Sequence, residues 1–338
     1  MRSLATIVTL FTFLFLNSST PEASAAETPT RLLLAHGAIS NNITPLWIAK
    51  DQEIFRKYGL DVDLVFIIAG RAAQAMLAGQ ISVGVIGATH VTNAVTAGGD
   101  MAMILGMQNK LDYLLVARPS IKSAAELKGR KVAIGTPSGS ASLATYVALD
   151  YFGLNPRRDH ILLLQVGGVP ERLAALRAGS VEATSLSPEL AQLVLGEGYH
   201  VLLDMAKANI PFQSSGLVTS RRLLRTNPEL VENIAKAIIE GVAIIHNPAR
   251  KKMVQQTIAR HLRLDRPERV EKAYQQLLGE LPRKPCPTLE GVTSVLKLMA
   301  QHGLNPRAAQ LKPDDVVDMG LCKKLDESGF MDRLYQGW

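Results

Sequence analysis

From Leu60 to Phe66 apolar and polar residues alternate, with Leu60, Val62, Leu64 and Phe66 on one side and Asp61 and Asp63 on the other, the period of a β-strand. Tyr58-Gly59 just before it reads as a helix stop. Gly70-Arg71 then turns into a short Ala-rich helix ending at Ala78-Gly79, and Ile81 to Ile86 is a second apolar strand running out into Gly87-Ala88-Thr89. About a hundred residues later the pattern returns. Phe152-Gly153-Leu154 closes a helix, Ile161 to Gln165 is a strand, Gly167-Gly168 opens the helix Val169 to Arg177, and Ala178-Gly179 leads into Val181 to Leu186 with the polar end Ser187-Pro188-Glu189. Upstream, strand Arg31 to Ala35 precedes a Gly/Ser/Asn loop and strand Lys131 to Ile134 precedes a Gly/Ser loop, completing each copy. Two copies of one β-loop-α-β-α-β unit predict two similar α/β lobes. Their crossovers imply parallel strands with helices on both faces. Ligands bind such sheets outside the carboxyl ends of the strands. Both copies put Gly, Ser, Thr and Asn there, so the predicted site is a cleft between the lobes.

The remaining pattern fills in around this pair. Thr44 reads as an N-cap with Pro45 at the first helical position, and the helix carries Trp47, Ile48, Phe55 and Tyr58 to its Gly59 stop. Helix Val91 to Ala97, strand Met101 to Leu105 and strand Tyr113 to Ala117 follow, and Ser123-Ala124-Ala125-Glu126 fits a capping box. Beyond a loop from Asn209 to Ser215 and a strand from Gly216 to Thr219, the chain is almost wholly helical. The interruption is the Pro-rich link Leu281 to Thr288, which cannot be helix.

Composition narrows the class. At 338 residues the chain is long enough for two domains, and aliphatic rather than aromatic residues dominate its 47% hydrophobic fraction. Residues 1–26 read as a secretory signal, with Arg2 ahead of the apolar run Leu4 to Leu16 and cleavage expected near Ala25 or Ala26. That run falls short of the roughly 20 residues that span a bilayer. The mature chain is expected to be soluble and outside the cytoplasm. The net charge of +7 favours anionic solutes by steering, and no basic block interleaved with aromatics points to nucleic acid. Export permits a disulfide between Cys286 and Cys322, but the sequence cannot bring their Cα atoms together, and two isolated thiols are the favoured expectation. No P-loop, G-x-S-x-G, H-E-x-x-H or C-x-x-C motif occurs, and the histidines lack metal-ligand spacing. No catalytic residue, metal or cofactor is therefore expected.

The candidate ligand-binding residues follow from the strand ends. Ser40, Asn41 and Asn42 occupy the first loop, and Ser138, Gly139 and Ser140 the equivalent loop of the second unit, where a helix start offers N–H groups and hydroxyls to an anion or carbonyl. Ordinary helix capping accounts for the same residues equally well. Gly70 and Arg71 open the repeat helix, Arg71 either forking onto a carboxylate, sulfonate or phosphate or pairing on the surface. Thr89 and His90, like Ser187 and Glu189, end the last strand of each unit and either line the cleft or begin the next helix. Phe212 and Ser214 sit where the chain crosses back, suited to a cleft wall.

These residues resemble the periplasmic substrate-binding proteins of ABC importers, in the nitrate/sulfonate/taurine and thiamine-pyrimidine (NMT1/THI5-like) group. The matching pieces are Thr44-Pro45-Leu46 with Ala49-Lys50, Tyr58 to Val62, Ala78 to Ile81, Leu127 to Ala133, Ala178 to Ala183 and Ser215 to Val218, in order over nearly the whole mature chain. The resemblance implies a type II periplasmic binding protein: two α/β lobes joined by two crossing hinge strands, closing on a small solute and docking onto an ABC permease in the inner membrane. The crossings are expected near Tyr113 to Pro119 and Phe212 to Thr219. Lobe one then comprises residues 27–118 and 217–338, with the C-terminal helices packed on it, and lobe two residues 119–216. A periplasmic monomer binding a small organic, anionic solute is the expectation. Ser82 and Glu182 replace the Asp that better-known members carry after Gly-Glu-Val, and Leu186-Ser187 replaces a common aromatic, so neither taurine nor nitrate carries over. Two alternatives share the fold: a cytoplasmic-type enzyme, either a lyase or one of the pyrimidine synthases whose Cys-rich stretch is missing here, and a ligand sensor for a membrane receptor.

Overall fold

The computed structural model describes residues 29–135, 139–208 and 210–336. The expected signal segment and Ser138 lie outside them. The first run comprises β1 (Thr30–His36), a 3-10 turn (Asn41–Ile43), α1 (Thr44–Asp51), α2 (Ile54–Lys57), β2 (Leu60–Phe66), α3 (Ala69–Leu77), β3 (Val83–Gly87), α4 (Ala88–Thr96) and β4 (Ala102–Lys110). The second comprises β5 (Leu114–Ala117), a 3-10 turn (Ala124–Leu127), β6 (Lys131–Ile134), α5 (Ser140–Tyr151), β7 (Leu162–Gln165), α6 (Val169–Arg177), β8 (Ala183–Leu186), α7 (Pro188–Leu195) and β9 (His200–Asp204). The chain returns through β10 (Pro211–Thr219). Eight helices follow: α8 (Arg221–Thr226), α9 (Pro228–His246), α10 (Lys251–Leu262), α11 (Pro267–Glu280), α12 (Leu289–Gln301), α13 (Pro313–Val316), α14 (Gly320–Glu327) and α15 (Phe330–Arg333).

The strands make two five-stranded sheets, ordered β2-β1-β3-β10-β4 and β7-β6-β8-β5-β9. Each is one copy of the repeat with an antiparallel strand inserted in fourth place: β10 in the first sheet, β5 in the second. The expected two-lobed α/β architecture is thus present. Helices α3 (from 69) and α6 (from 169) are nine residues each and start one hundred residues apart. Gly79 and Gly179, which end them, both take left-handed φ values, +71° and +73°, that a side chain disfavours.

Sheet membership moves both crossings toward the N-terminus from their expected places. Leu114–Ala117 pairs in the second sheet, so the chain changes sheets between Lys110 and Leu114 rather than after residue 118. On return it is in the first sheet from Pro211, not from residue 217. The polar run Gln213-Ser214-Ser215, expected as loop, is strand with a bulge: four steps of β10, Pro211 to Ser215, oppose two of β4, Lys110 to Gln108. The Gln213 amide patches the gap, donating to Gln108 O and Ser215 O (both 3.3 Å). Just beyond, Gly216 is required, because a methyl group there would lie 1.9 Å from Leu105 O.

Lobe one packs on both faces of its sheet. Leu34, Val62, Val85, Ile104 and Leu217 meet α1, α9, α10 and α11 on one face. Ala35, Ile86, Met103 and Val218 meet α3, α4 and α12 on the other, and this second core runs on without a break through Leu111, Met205 and Phe212 into α5 of lobe two. Phe212, expected in the cleft wall, is fully buried in that core. Two local expectations also change. The 3-10 turn makes Ile43, not Thr44, the N-cap of α1. The single helix expected up to Gly59 is two, broken at Glu53, whose φ of +54° is left-handed.

Cys286 and Cys322 are bonded, with Cα atoms 5.7 Å apart, which corrects the expectation of two isolated thiols. The bond ties the Pro-rich link to α14. The link in turn covers the edge strand β4: Gly106 N donates to Pro285 O (2.9 Å) and Asn109 Nδ2 to Cys286 O (3.0 Å). An otherwise open sheet edge is thereby closed to pairing with other chains. Among the described residues no helix is long and apolar enough to cross a membrane.

Candidate functional site

The two lobes meet at Gly87, the N-cap of α4. A methyl group placed there would lie 3.1 Å from Ser214 O, 3.3 Å from Ser140 Oγ and 3.6 Å from Thr89 Oγ1. One point is therefore shared by the carboxyl end of β3, the bulge of β10, and the first residue of α5 in the other lobe. Thr89 is 1% exposed and its hydroxyl has no partner among the described residues. The amino ends of α4 and α5 both open here, and their free N–H groups favour an acceptor or an anion.

Lobe one adds a neutral polar wall. Asn42 Nδ2 donates to Gln108 Oε1 and Ser215 Oγ, both at 3.0 Å, and Ser40 Oγ donates to Asn42 Oδ1. Asn41 turns the other way. Its Nδ2 donates to Ala273 O on α11 (2.6 Å) and its Oδ1 accepts from Thr44 Oγ1 (3.3 Å), so it fastens a helix instead of facing the cleft. Successive residues of a 3-10 turn point about a third of a turn apart, which separates the neighbouring asparagines. Gly70 lies against His90, a methyl group on it coming 3.9 Å from His90 Cε1. Burial holds the His90 imidazole below its ordinary pKa and thus neutral. Arg71 is exposed in the first turn of α3. Ile39, Phe66 and Ile68, 57%, 48% and 61% exposed, make an apolar rim at the ends of β1 and β2.

In lobe two, Gly139 caps α5 and Ser187 caps α7, Ser187 without a side-chain hydrogen bond. Glu189 lies in the first turn of α7, and its side chain is outside the description. Sequence reasoning missed two groups. Gln108, 5% exposed, enters from β4. Arg172, 3% exposed on α6, lies across the carboxyl ends of the lobe-two strands, donating to Gly167 O (2.9 Å) and Ser185 O (3.4 Å). Its signal was present in the repeat register: Arg172 falls where the fully buried Ala72 falls in α3.

A depression of about 580 Å³ lined by Lys122, Lys128, Phe152 and His200 opens at the opposite, amino ends of the lobe-two strands, away from this convergence. Among the described residues no group of three or more His, Cys, Asp or Glu is placed to hold a metal ion.

The two-sheet α/β fold has counterparts among proteins of known sequence and structure. The model of the family described as NMT1/THI5 like matches residues 40–251. The chain belongs to that family. Among solved structures, a protein from Bordetella bronchiseptica RB50 superposes with a TM-score of 0.74 at 19% identity, covering 89% of this chain and 98% of its own. The periplasmic aliphatic sulphonate binding protein SsuA from Escherichia coli gives 0.68 at 18%, covering 86% and 92%. The periplasmic nitrate-binding protein NrtA from Synechocystis PCC 6803 gives 0.66 at 16%, covering 89% of each chain. At these identities the likeness establishes a shared fold. A search of curated proteins finds no match.

Proposed function

We infer that this member of the NMT1/THI5-like family is the extracytoplasmic solute-binding component of an ABC-type importer. It captures a small organic anion between its lobes and delivers it to a membrane permease. The observation that carries this reading is the meeting of Ser140 from lobe two with Thr89 and Ser214 from lobe one around Gly87. A ligand there touches both lobes only when they are shut, so binding favours the closed form, which the permease then recognises. We take residues 29–110 and 211–336 as lobe one and 114–204 as lobe two, with the two short crossings as hinge.

Three further points support the reading. Two proteins of the same fold, SsuA and NrtA, are periplasmic binding proteins for aliphatic sulphonate and for nitrate. The disulfide suits an oxidising compartment outside the cytoplasm, in keeping with residues 1–26 as an export signal. The net charge of +7 favours an anionic solute. A binding protein also needs none of the catalytic motifs that the sequence lacks.

The test is a panel of organic anions and neutral aromatics, read by thermal unfolding and solution scattering. A true ligand at a hundredfold excess over Kd adds about 2.7 kcal/mol, a rise in Tm of about 4 °C for a chain of this size, together with a smaller radius of gyration. Gly87→Val, which puts branched carbon against Ser140 and Ser214, abolishes the compaction. If no compound stabilises or compacts the protein, the solute-binding role is wrong.

A further inference from the structure

Arg172 is a buried cation with no ion-pair partner among the described residues. Its two hydrogen-bond partners among them are neutral backbone carbonyls, and Nε has none. Tyr113 and the neighbouring Glu171, which is on the exposed side of α6, favour its charge without forming an ion pair with it. A guanidinium keeps its charge in proteins, and holding that charge out of water uncompensated is unfavourable. In the repeat the same helical position is Ala72, fully buried in an apolar core, so the fold itself does not require a cation there.

The surroundings say what the cation faces. Gly135, Gly167 and Ser185 stand at or just beyond the carboxyl ends of β6, β7 and β8, the edge at which parallel sheets receive ligands. Gly135 puts no side chain against the guanidinium, where a methyl group would lie 3.1 Å from Arg172 Nη1. Lobe one offers no comparable buried charge among the described residues: Arg71 is exposed, burial disfavours the charged form of His90, and Asn42 is bonded to Gln108 and Ser215. Its exposed rim of Ile39, Phe66 and Ile68 suits carbon rather than charge.

Building on the solute-binding reading above, we propose that Arg172 is the anion-binding residue of lobe two, and that the solute is an organic oxyanion (a carboxylate, sulfonate or phosphonate) whose acid group meets Arg172 while its carbon skeleton rests on lobe one. Each of Nη1 and Nη2 spends one N–H on a carbonyl and keeps a second, and these with Nε–H are the donors left for the oxygens of such a head group.

The experiment titrates the full mature protein with acetate, hexanoate, benzoate, benzenesulfonate and phenylphosphonate, and with acetamide, hexanamide and benzamide as neutral twins, by calorimetry and thermal shift. At least one acid is expected to bind and its amide not to. Arg172→Gln should weaken that acid roughly a hundredfold, Arg172→Lys should recover part of the loss, and Gly135→Ala, which leaves the charge but covers Nη1, should weaken it at least about tenfold. Where Arg172→Gln does not fold, Gly135→Ala decides. Amides binding as well as acids, or an acid whose Kd stays within about twofold in the variants, overturns the role of Arg172 and leaves solute binding standing. A lower unliganded Tm in Arg172→Gln with unchanged acid affinity makes Arg172 a structural clamp and likewise overturns it. If neither acids nor amides bind the wild-type chain, both this assignment and the solute-binding reading fall.

Discussion

Removing the Cys286–Cys322 bond tests how lobe one is held together. The bond spans a sequence separation of 36, and closing a loop of that size lowers the entropy of the unfolded chain by about 13 cal/mol/K, or about 4 kcal/mol at 25 °C. Lobe one has roughly 200 residues, and at about 2.1 cal/mol/K each its unfolding entropy is about 0.4 kcal/mol/K. The double variant Cys286→Ser with Cys322→Ser should therefore unfold about 9 °C lower. Changing both residues leaves no free thiol to confuse the result. The loss should be local as well. The link presents carbonyls to β4, and Gly106 N is held by Pro285 O, so hydrogen exchange at the Gly106 amide should accelerate in the variant. Calorimetry of the unliganded protein and exchange mass spectrometry over Ala102–Lys110 measure the two effects. A Tm change under about 2 °C, or exchange at Gly106 that stays as slow as in the wild type, would refute the reasoning: the link would then be fixed by its packing alone.

Two more expectations follow from the described contacts. Asn41→Ala removes the side-chain donor to Ala273 O, which keeps its helical N–H, and takes from Thr44 Oγ1 its acceptor, so stability should fall by about 0.5–1.5 kcal/mol in urea unfolding while ligand affinity is unchanged. An affinity loss would put Asn41 in the cleft after all. Burial lowers the pKa of His36, His90 and His246 in the fold, partly opposed at His36 and His246 by carbonyls of Ala38 and Leu281. The unfolded chain then binds more protons below about pH 6.5, so stability should be level above that value and fall as the pH drops through it. Urea midpoints that stay constant or rise between pH 7.5 and 5.5 would contradict this.

Much of the fold was legible because the same unit is written twice. Alternation at Leu60 to Phe66 and the glycine stops at Gly79 and Gly179 fixed strands and helices in both copies, and their common order fixed two sheets. What escaped depended on direction in space. Asn41 and Asn42 are neighbours in sequence, but the 3-10 turn sends one to α11 and the other to the cleft. Polar Gln213-Ser214-Ser215 reads as loop because a bulged strand facing a polar site has no apolar alternation to show. Phe212 looked like a cleft wall until that bulge turned it inward. Arg172 looked like one charge among several on a short helix, and only its register against Ala72 marks it as buried. No spacing rule foretells that Cys286 and Cys322 meet, since thirteen residues of α12 and the turns after it lie between them.

The C-terminal helices do more than thicken lobe one. At the end of α12, His302 stacks on Tyr146 (4.4 Å between ring centres) and reaches Asp150 Oδ2 at 2.7 Å, both on α5 of the opposite lobe. Asp150 stands ten residues beyond Ser140, about 15 Å down the same helix from the cleft. On the proposed reading, a rotation that parts the lobes at Gly87 slides this rear seam as well. Fluorescent labels set on either side of it would report such a rotation optically, with nothing attached at the proposed solute site.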